Sequence, residues 1–206
     1  MIKETLESIE LNLYTEEEVF SPKGIDTGTK AMLSYVTLAK EDKVLDLGCG
    51  YGIVGIWAAK QIGASNVTMC DISPTAIACS KQNAILNGVA EGLSILESDG
   101  LSNVGERDFS LILSNPPYHV DFSVPKKFIE QGYKKLKIGG KMYMVVKRKE
   151  WYKNKLTSIF GGVTIYEKDG YYVFVAEKRQ HTKKAPVHKE QKLSKKLARK
   201  NKFRVN

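Results

Sequence analysis

The sequence predicts an α/β fold: a doubly wound, mostly parallel seven-stranded sheet that ends in an antiparallel hairpin. The 206 residues include 42% hydrophobic and 27% charged residues, the composition of an ordinary globular domain. Between Lys43 and Lys178, short β-branched runs alternate with longer helix-like stretches, as in parallel strands joined by crossover helices. The alternation ends in two β-rich runs with no room for a helix between them.

The predicted elements follow in chain order. A helix over 29–39 comes after the turn-rich segment SPKGIDTG. Ser73 and Pro74 mark the start of a later helix, as N-cap and first turn. Asp169 and Gly170 join the last two strands in a hairpin at the sheet edge. The other strands are expected at 43–47, 66–71, 93–97, 109–114 and 141–147, and the other helices at 52–61, 74–87, 125–137 and 150–159.

The positive charge is concentrated at the C-terminal end. Residues 178–206 carry twelve basic residues and one acid, for a net charge of +11, which leaves −2 on residues 1–177. We therefore expect a domain over 1–177 and a basic tail over 178–206. Such an asymmetry indicates a polyanionic partner, and nucleic acid is favoured over a membrane because the chain has no lipidation motif. A passive solubilising tail is the alternative.

Several classes of protein are excluded by simple patterns. No apolar run approaches the roughly 18 residues of a membrane span, and the first ten residues carry acids where a secretory signal has an apolar stretch. A cytoplasmic protein is expected. Cys49, Cys70 and Cys79 form no CxxC pair, which argues against a disulfide framework and against a cysteine-rich zinc site.

Two motifs indicate a nucleotide-like ligand. In VLDLGCGYG, Gly48, Gly50 and Gly52 lie between a predicted strand and helix, where the backbone must turn sharply and the helix start offers N–H groups to an anion. Asp71 ends the next strand, where an acid can accept both hydroxyl hydrogens of a ribose. A ligand-free turn and a helix-capping Asp71 are the alternatives, although Ser73 already supplies that cap.

The third motif is Asn115-Pro116-Pro117-Tyr118, directly after the apolar strand FSLILS. The prolines fix the backbone, so the Asn115 side-chain oxygen and the Pro116 carbonyl can both accept hydrogen bonds from one NH2 group. The Tyr118 ring offers a stacking face. A plain turn is the alternative, but the motif lies at the carboxyl end of a strand, where open α/β sheets bind ligands.

With these motifs the sequence resembles the class I S-adenosylmethionine-dependent methyltransferases, within them the small-domain group that includes ribosomal RNA guanine-N2 methyltransferases. The resemblance covers about 13–178 and implies a Rossmann-like methyltransferase fold with S-adenosyl-L-methionine as cofactor. Residues 20–29 resemble the segment that closes over the cofactor. The implied catalytic residues are Asn115, Pro116, Pro117 and Tyr118, and the implied cofactor contacts are Asp46, Gly48, Gly50, Gly52, Asp71, Ile72, Asp99 and Asn115.

Within the implied cofactor site, Asp46 and the glycines would line the methionine end and Asp71 would hold the ribose. Ile72 would pack on adenine, and Asp99 would meet the adenine amine.

Compared with the bacterial RNA enzymes of the group, the chain lacks an additional N-terminal domain, so we expect another element to help hold RNA. The basic tail is one candidate. Residues 147–153, which interleave basic and aromatic residues, fit either RNA contact or a helix with a packed tryptophan.

The predicted function is methylation of an exocyclic base amine of RNA, with guanine N2 of ribosomal RNA favoured. An adenine-N6 nucleic-acid methyltransferase is the first alternative, because the same loop serves both amines. A protein glutamine-N5 methyltransferase and a non-catalytic RNA-binding module are the others. The RNA, the nucleotide position and the oligomeric state are left open.

Overall fold

A computed structural model describes residues 1–19, 21–117 and 121–180. The strands are β1 (Ile2–Leu6), β2 (Ile9–Leu13), β3 (Val44–Leu47), β4 (Val67–Asp71), β5 (Ser94–Glu97), β6 (Phe109–Ser114), β7 (Leu136–Val146), β8 (Thr164–Lys168) and β9 (Tyr171–Glu177). The α-helices are α1 (Thr27–Leu33), α2 (Ile53–Ile62), α3 (Pro74–Leu86), α4 (Ser123–Lys135) and α5 (Glu150–Phe160).

Seven of the described strands form one sheet of order β5-β4-β3-β6-β7-β9-β8. The first five in that order pair in parallel, and β9 pairs antiparallel with both β7 and β8. The predicted fold class is confirmed, including the hairpin at the edge. Because the chain proceeds from β3 outward to β5 and then returns to β6 on the other side, the sheet has its switch point between β3 and β6.

Helices cover both faces of this sheet. Side chains of β3 alternate: Val44 belongs to the core under α1, α2 and α3, whereas Leu45 and Leu47 belong to the core under α4 and α5. All four residues of β3 are buried, as expected of a central parallel strand. This rigid centre fixes the positions of the loops that follow β3, β4, β5 and β6.

A small hairpin of β1 and β2 was not predicted. It pairs only with itself, over the register Ile2↔Leu13 to Leu6↔Ile9. The turn between the two strands consists of Glu7 and Ser8, with φ of +46° and +67°. Glycine or asparagine usually signals such a turn in a sequence, and neither occurs at these two positions. Asn87 holds the hairpin against α3, because its side chain donates to the Asn12 carbonyl and accepts from the Asn12 N–H.

The expected helix over 29–39 is wrong at both ends. α1 starts at Thr27 because Asp26 caps it, accepting a hydrogen bond from the Thr29 N–H. The helix ends at Leu33, where the next residues contact the β8 hairpin: Lys168 donates to Ser34 Oγ, and Tyr35 stacks on Tyr166 with centroids 4.3 Å apart. A contact more than 130 residues away in sequence thus ends the helix.

The strand expected at 141–147 is also longer than predicted. β7 starts at Leu136, and the register with β6 shifts between Phe109 and Leu111. The glycines at 139 and 140 accommodate this irregularity, and their backbones pair with Lys178. Backbone pairing therefore continues one residue past the expected boundary at 177. Residues 181–206, most of the expected tail, lie outside the described residues.

No helix within the described ranges combines the length and the apolar character needed to cross a membrane.

Candidate active site

A cavity of about 310 Å³ opens at the carboxyl ends of the parallel strands, at the switch point of the sheet. Each of four neighbouring strands delivers residues to its wall. Gly48 follows β3, Asp71 ends β4, Asp99 follows β5 and Asn115 follows β6. Residues predicted from separate motifs are thus brought to one place by the strand order.

The glycine loop forms the floor of this cavity. Gly48, Gly50 and Gly52 have φ of +76°, +54° and +95°, a backbone region that favours glycine. Gly48 and Gly50 line the cavity, and a Cβ at Gly50 would meet no atom within 4 Å. Gly52 does not line this cavity, and its expected cofactor contact stays a prediction. A Cβ there would lie 2.9 Å from Met69 and 3.1 Å from Ser80, so this glycine serves packing.

The N–H groups of the glycine loop bind acceptors within the protein. Gly48 and Cys49 donate to the Cys70 carbonyl at 2.9 and 3.0 Å, and Gly50 donates to Asp71 Oδ2 at 2.9 Å. These bonds tie the turn to the strand end of β4. The expectation that N–H groups face an anionic ligand concerned the start of α2, and it stays a prediction.

Asp46 is the anion at the start of α2. Its Oδ2 accepts a hydrogen bond of 2.8 Å from the N–H of Gly55, the third residue of that helix. Burial raises the pKa of Asp46 from 3.8 to about 7; the Gly55 N–H opposes this rise and the nearby Asp71 carboxylate adds to it. The side chain lines the cavity, so a ligand with positive charge would favour its ionised form.

The Asp71 carboxylate is fixed at the edge of the cavity. Oδ2 accepts from Gly50, and Oδ1 accepts a hydrogen bond of 2.9 Å from the Ser73 N–H. Ser73 Oγ caps α3 through the Ala76 N–H, as predicted. Each carboxylate oxygen can accept more than one hydrogen bond. This geometry leaves capacity for the two hydroxyls of a ribose.

Two further predicted residues lie on the outer side of the cavity. Ile72 is 64% exposed although it is apolar, and it lines the cavity wall. Such an exposed apolar side chain provides a flat surface for a ring. Asp99 also lines the wall, but its carboxylate forms an ion pair with Lys127 of α4. An adenine amine at Asp99 would therefore share the carboxylate with this lysine.

The orientation of Asn115 is fixed by two residues that the sequence did not single out. Its Nδ2 donates to Asp26 Oδ2 at 2.9 Å and to Thr29 Oγ1 at 3.0 Å. An ionised carboxylate accepts but does not donate, so the NH2 end of the amide must face Asp26. Oδ1 is thereby assigned to the opposite end. The capping position of Asp26 before α1 was the available signal for this pair.

The segment before α1 is tied to the rest of the site. The Tyr51 hydroxyl, in the glycine loop, donates to the carbonyls of Ser21 and Gly24. The Tyr171 hydroxyl donates to Asp26 Oδ1 at 3.3 Å. Residues 21–29, expected to close over a cofactor, thus contact both the glycine loop and Asn115.

The remaining residues of the third motif differ in position. Pro117 is exposed and lines the cavity. Pro116 is buried and its side chain is not part of the cavity wall, so the acceptor role of its carbonyl stays a prediction. Tyr118 lies outside the described residues, and its stacking role also stays a prediction.

Carboxyl groups are the charged groups that line the cavity, although Asp99 is paired with Lys127 and burial raises the pKa of Asp46 to about 7. Four carboxyl groups line it, and none of the described lining residues is Lys or Arg. A site of this charge suits a cationic ligand and disfavours one that carries phosphates. The carboxyl groups belong to Glu18, Asp46, Asp71 and Asp99.

Comparison with known families and proteins gives consistent results. Residues 10–176 match the family model described as Methyltransferase small domain. The uncharacterized protein YbxB of Bacillus subtilis is 32% identical over 170 residues, 80% of this chain and 84% of that protein. The Ribosomal RNA small subunit methyltransferase C of Colwellia psychrerythraea is 29% identical over 178 residues, 84% of this chain and 49% of that protein.

Solved structures share the fold. The T. thermophilus 16S rRNA N2 G1207 methyltransferase RsmC, in complex with AdoMet and guanosine, superimposes with a TM-score of 0.75 at 24% identity, covering 86% of this chain and 50% of that one. An RNA methyltransferase from Salinibacter ruber, in complex with S-adenosyl-L-homocysteine, gives 0.59 at 17% identity, covering 79% and 97%. The chain spans about half the length of the two RsmC proteins it matches.

Proposed function

The chain belongs to the methyltransferase small domain family, and from this premise we propose that it methylates an exocyclic amine of an RNA base, guanine N2 of ribosomal RNA being the favoured target. S-adenosylmethionine is the methyl donor of the family and supplies an electrophilic methyl group when bound. A ribosomal RNA substrate makes a cytoplasmic location part of the same proposal.

The charge of the cavity supports S-adenosylmethionine as its ligand. The donor carries a sulfonium and an ammonium group but no phosphate, and the cavity is lined by four carboxyl groups and no described cation. We propose that Asp46, Gly48 and Gly50 bind its methionine end. Asp71 would bind the ribose, Ile72 the adenine ring and Asp99 the adenine amine. For Gly52, which does not line the cavity, the cofactor contact stays a prediction.

The orientation of Asn115 carries the proposed reaction. With both amide hydrogens directed at Asp26 and Thr29, Oδ1 is the end that would accept a hydrogen from the target amine. The lone pair of an aromatic amine is delocalised into its ring. Hydrogen bonds from the amine to Asn115 Oδ1 and to the Pro116 carbonyl favour a pyramidal nitrogen whose lone pair can attack. Tyr118 would stack on the base, which must be extruded if it lies in a helix.

The target itself is proposed from the relatives. RsmC of T. thermophilus is described as a guanine-N2 enzyme and was solved with guanosine, but this chain covers half of it. An adenine-N6 target uses the same amine geometry, so the experiment must separate the two bases.

Mass spectrometry of nucleosides tests the target directly. The protein is incubated with deuterated-methyl S-adenosylmethionine and deproteinised ribosomal RNA, and the RNA is digested to nucleosides. We expect deuterated N2-methylguanosine. Deuterated N6-methyladenosine would overturn the guanine assignment, and the absence of deuterated methyl groups from all nucleosides of the RNA would overturn the RNA assignment.

Asn115→Ala tests the proposed mechanism. We expect the rate of methyl transfer to fall by about 100-fold or more, because the lost acceptor acts mainly in the transition state, while cofactor affinity changes little. Asn154→Ala is the matched control, since this asparagine is exposed on α5, away from the cavity. Equal rates for Asn115→Ala and Asn154→Ala would contradict the mechanism.

A further inference from the structure

Three consecutive basic residues lie beside the candidate active site. Lys147, Arg148 and Lys149 follow β7, and all three are exposed; we call them the basic rim. We propose that the basic rim binds the phosphate backbone of the RNA next to the target nucleotide. This inference rests on the proposed function, because it takes RNA as the substrate at Asn115.

The topology brings the basic rim to the mouth of the cavity. Ser114 pairs with Met144, so Asn115 and the rim leave neighbouring strands, about 4.8 Å apart, at the same edge of the sheet. Pro117 lines both the main cavity and a small pocket of about 50 Å³ whose wall includes two residues of the rim. A nucleotide whose base lies at Asn115 thus has the rim within reach of its phosphates.

Aromatic rings hold the three cations in place. Each charged group lies over one ring at a distance typical of a cation–π contact, and the rings come from two parts of the chain, the residue before α4 and the start of β9. Side chains that are ordered before binding lose less entropy when a ligand binds. The contacts are Lys147 on Tyr171 at 5.0 Å, Arg148 on Phe122 at 5.3 Å and Lys149 on Tyr172 at 5.0 Å.

The positive charges of Arg148 and Lys149 are not balanced by ion pairs within the described part of the chain. Nor does this charge stabilise α5. Lys149 is the N-cap of that helix without a capping side-chain bond, and a cation is unfavourable at that end of a helix. A bound phosphate would offset the repulsion.

The aromatic residues of segment 147–153 do not serve as a base-stacking platform. Trp151 stacks on Phe122 with centroids 4.5 Å apart, and Tyr152 is 5% exposed. The segment therefore contacts RNA through charge. Phosphate contacts of this kind position the RNA and carry no sequence information, so binding at the rim should depend on salt more than on sequence.

A paired set of charge variants tests the rim. Arg148→Gln with Lys149→Gln is compared with Lys3→Gln with Lys81→Gln, a control that removes the same charge at exposed positions on β1 and α3. Binding of a fluorescent mixed-sequence RNA oligonucleotide to the full chain is measured by anisotropy across a salt series. Calorimetry with S-adenosylhomocysteine checks the fold of each variant.

We expect the slope of log affinity against log salt to flatten by about 0.7 for each lost phosphate contact in the rim variant only. The KM for RNA should rise severalfold, while cofactor affinity and the saturated rate stay unchanged. Equal slopes of log affinity against log salt in the rim and control variants would overturn the proposal that the rim binds RNA. A wild type that does not bind RNA would overturn it as well. RNA binding that depends on the rim, without any methyl transfer to RNA, would instead overturn the proposed function.

Discussion

At the scale of single residues, we expect Thr29 to act on the proposed reaction through Asn115. Its hydroxyl accepts one amide hydrogen of Asn115, and its backbone N–H is bound separately to Asp26. Thr29→Val keeps the shape and removes the acceptor. We expect the single-turnover rate of methyl transfer to fall about 2- to 10-fold, the value of one hydrogen bond, with unchanged cofactor affinity. Thr29→Ser should restore the rate. Thr27→Val, at an exposed position two residues earlier on α1, is the control.

Asp71 tests the cofactor site. Asp71→Ala should weaken binding of S-adenosylhomocysteine by about 1 to 3 kcal/mol, because two charge-assisted ribose bonds are lost. Asp71→Asn should lose less, since an amide oxygen remains. Calorimetry gives both values. Glu97→Ala, an exposed acid at the end of β5, serves as the control. An Asp71→Ala protein with the affinity of the wild type would show that Asp71 does not bind the cofactor.

Asp46 predicts a pH dependence of stability. Burial raises its pKa from 3.8 to about 7, so at intermediate pH the folded protein keeps a proton that the unfolded chain releases. The contribution to stability is therefore largest below the unfolded pKa and is lost as pH rises through about 7. In Asp46→Asn this loss should disappear, while the Gly55 N–H keeps an oxygen acceptor. Urea unfolding of the wild type and of Asp46→Asn at several pH values measures this dependence. A difference in the free energy of unfolding between the two proteins that stays the same at every pH would contradict the prediction.

At the scale of elements, the contact between α2 and β4 holds the glycine loop. A Cβ at Gly55 would lie 2.4 Å from Met69 Cγ, so no side chain fits between helix and strand. Gly55→Ala should destabilise the fold by about 1 to 3 kcal/mol through overpacking, despite the better helix propensity of alanine. Gly162→Ala, where a Cβ meets no atom within 4 Å, is the control. Urea unfolding measures both; equal midpoints would refute the tight contact.

At the scale of the whole molecule, charge is divided between two kinds of ligand. The cavity is lined by carboxyl groups, which suits a cationic donor, whereas the basic rim beside it and the basic tail suit a polyanion. The tail over 178–206 stays a proposal, because residues 181–206 lie outside the described part of the chain. In this proposal the tail binds RNA in addition to the basic rim.

Truncation after Gln180 tests the tail while keeping the backbone pairing of Lys178 with Gly139 and Gly140. We expect unchanged cofactor affinity, a salt dependence of RNA binding that is flatter by several units at about 0.7 to 0.9 per contact, and slower methylation at low RNA concentration. Filter binding of intact and truncated protein across a salt series measures the slope. If the tail only increases solubility, the slopes of log affinity against log salt should be equal for the intact and truncated proteins.

Features that depend on neighbouring residues could be predicted from the amino-acid sequence. The glycine turn after β3, the Ser73 cap, the Asp169-Gly170 hairpin and the alternation of strands and helices all follow from local backbone preferences and side-chain period. For this reason the fold class and the positions of the motifs at strand ends could be predicted.

Contacts between residues that are distant in the sequence became apparent only in the folded chain. Asp26 orients Asn115 across 89 positions, and Asp46 binds the start of α2 in place of a ligand. The residues after α1 contact the β8 hairpin, and rings from two regions of the chain contact the basic rim. These contacts depend on the order of strands in the sheet, which brings residues together across the switch point. Local sequence patterns carry no information about which distant loops that order makes adjacent.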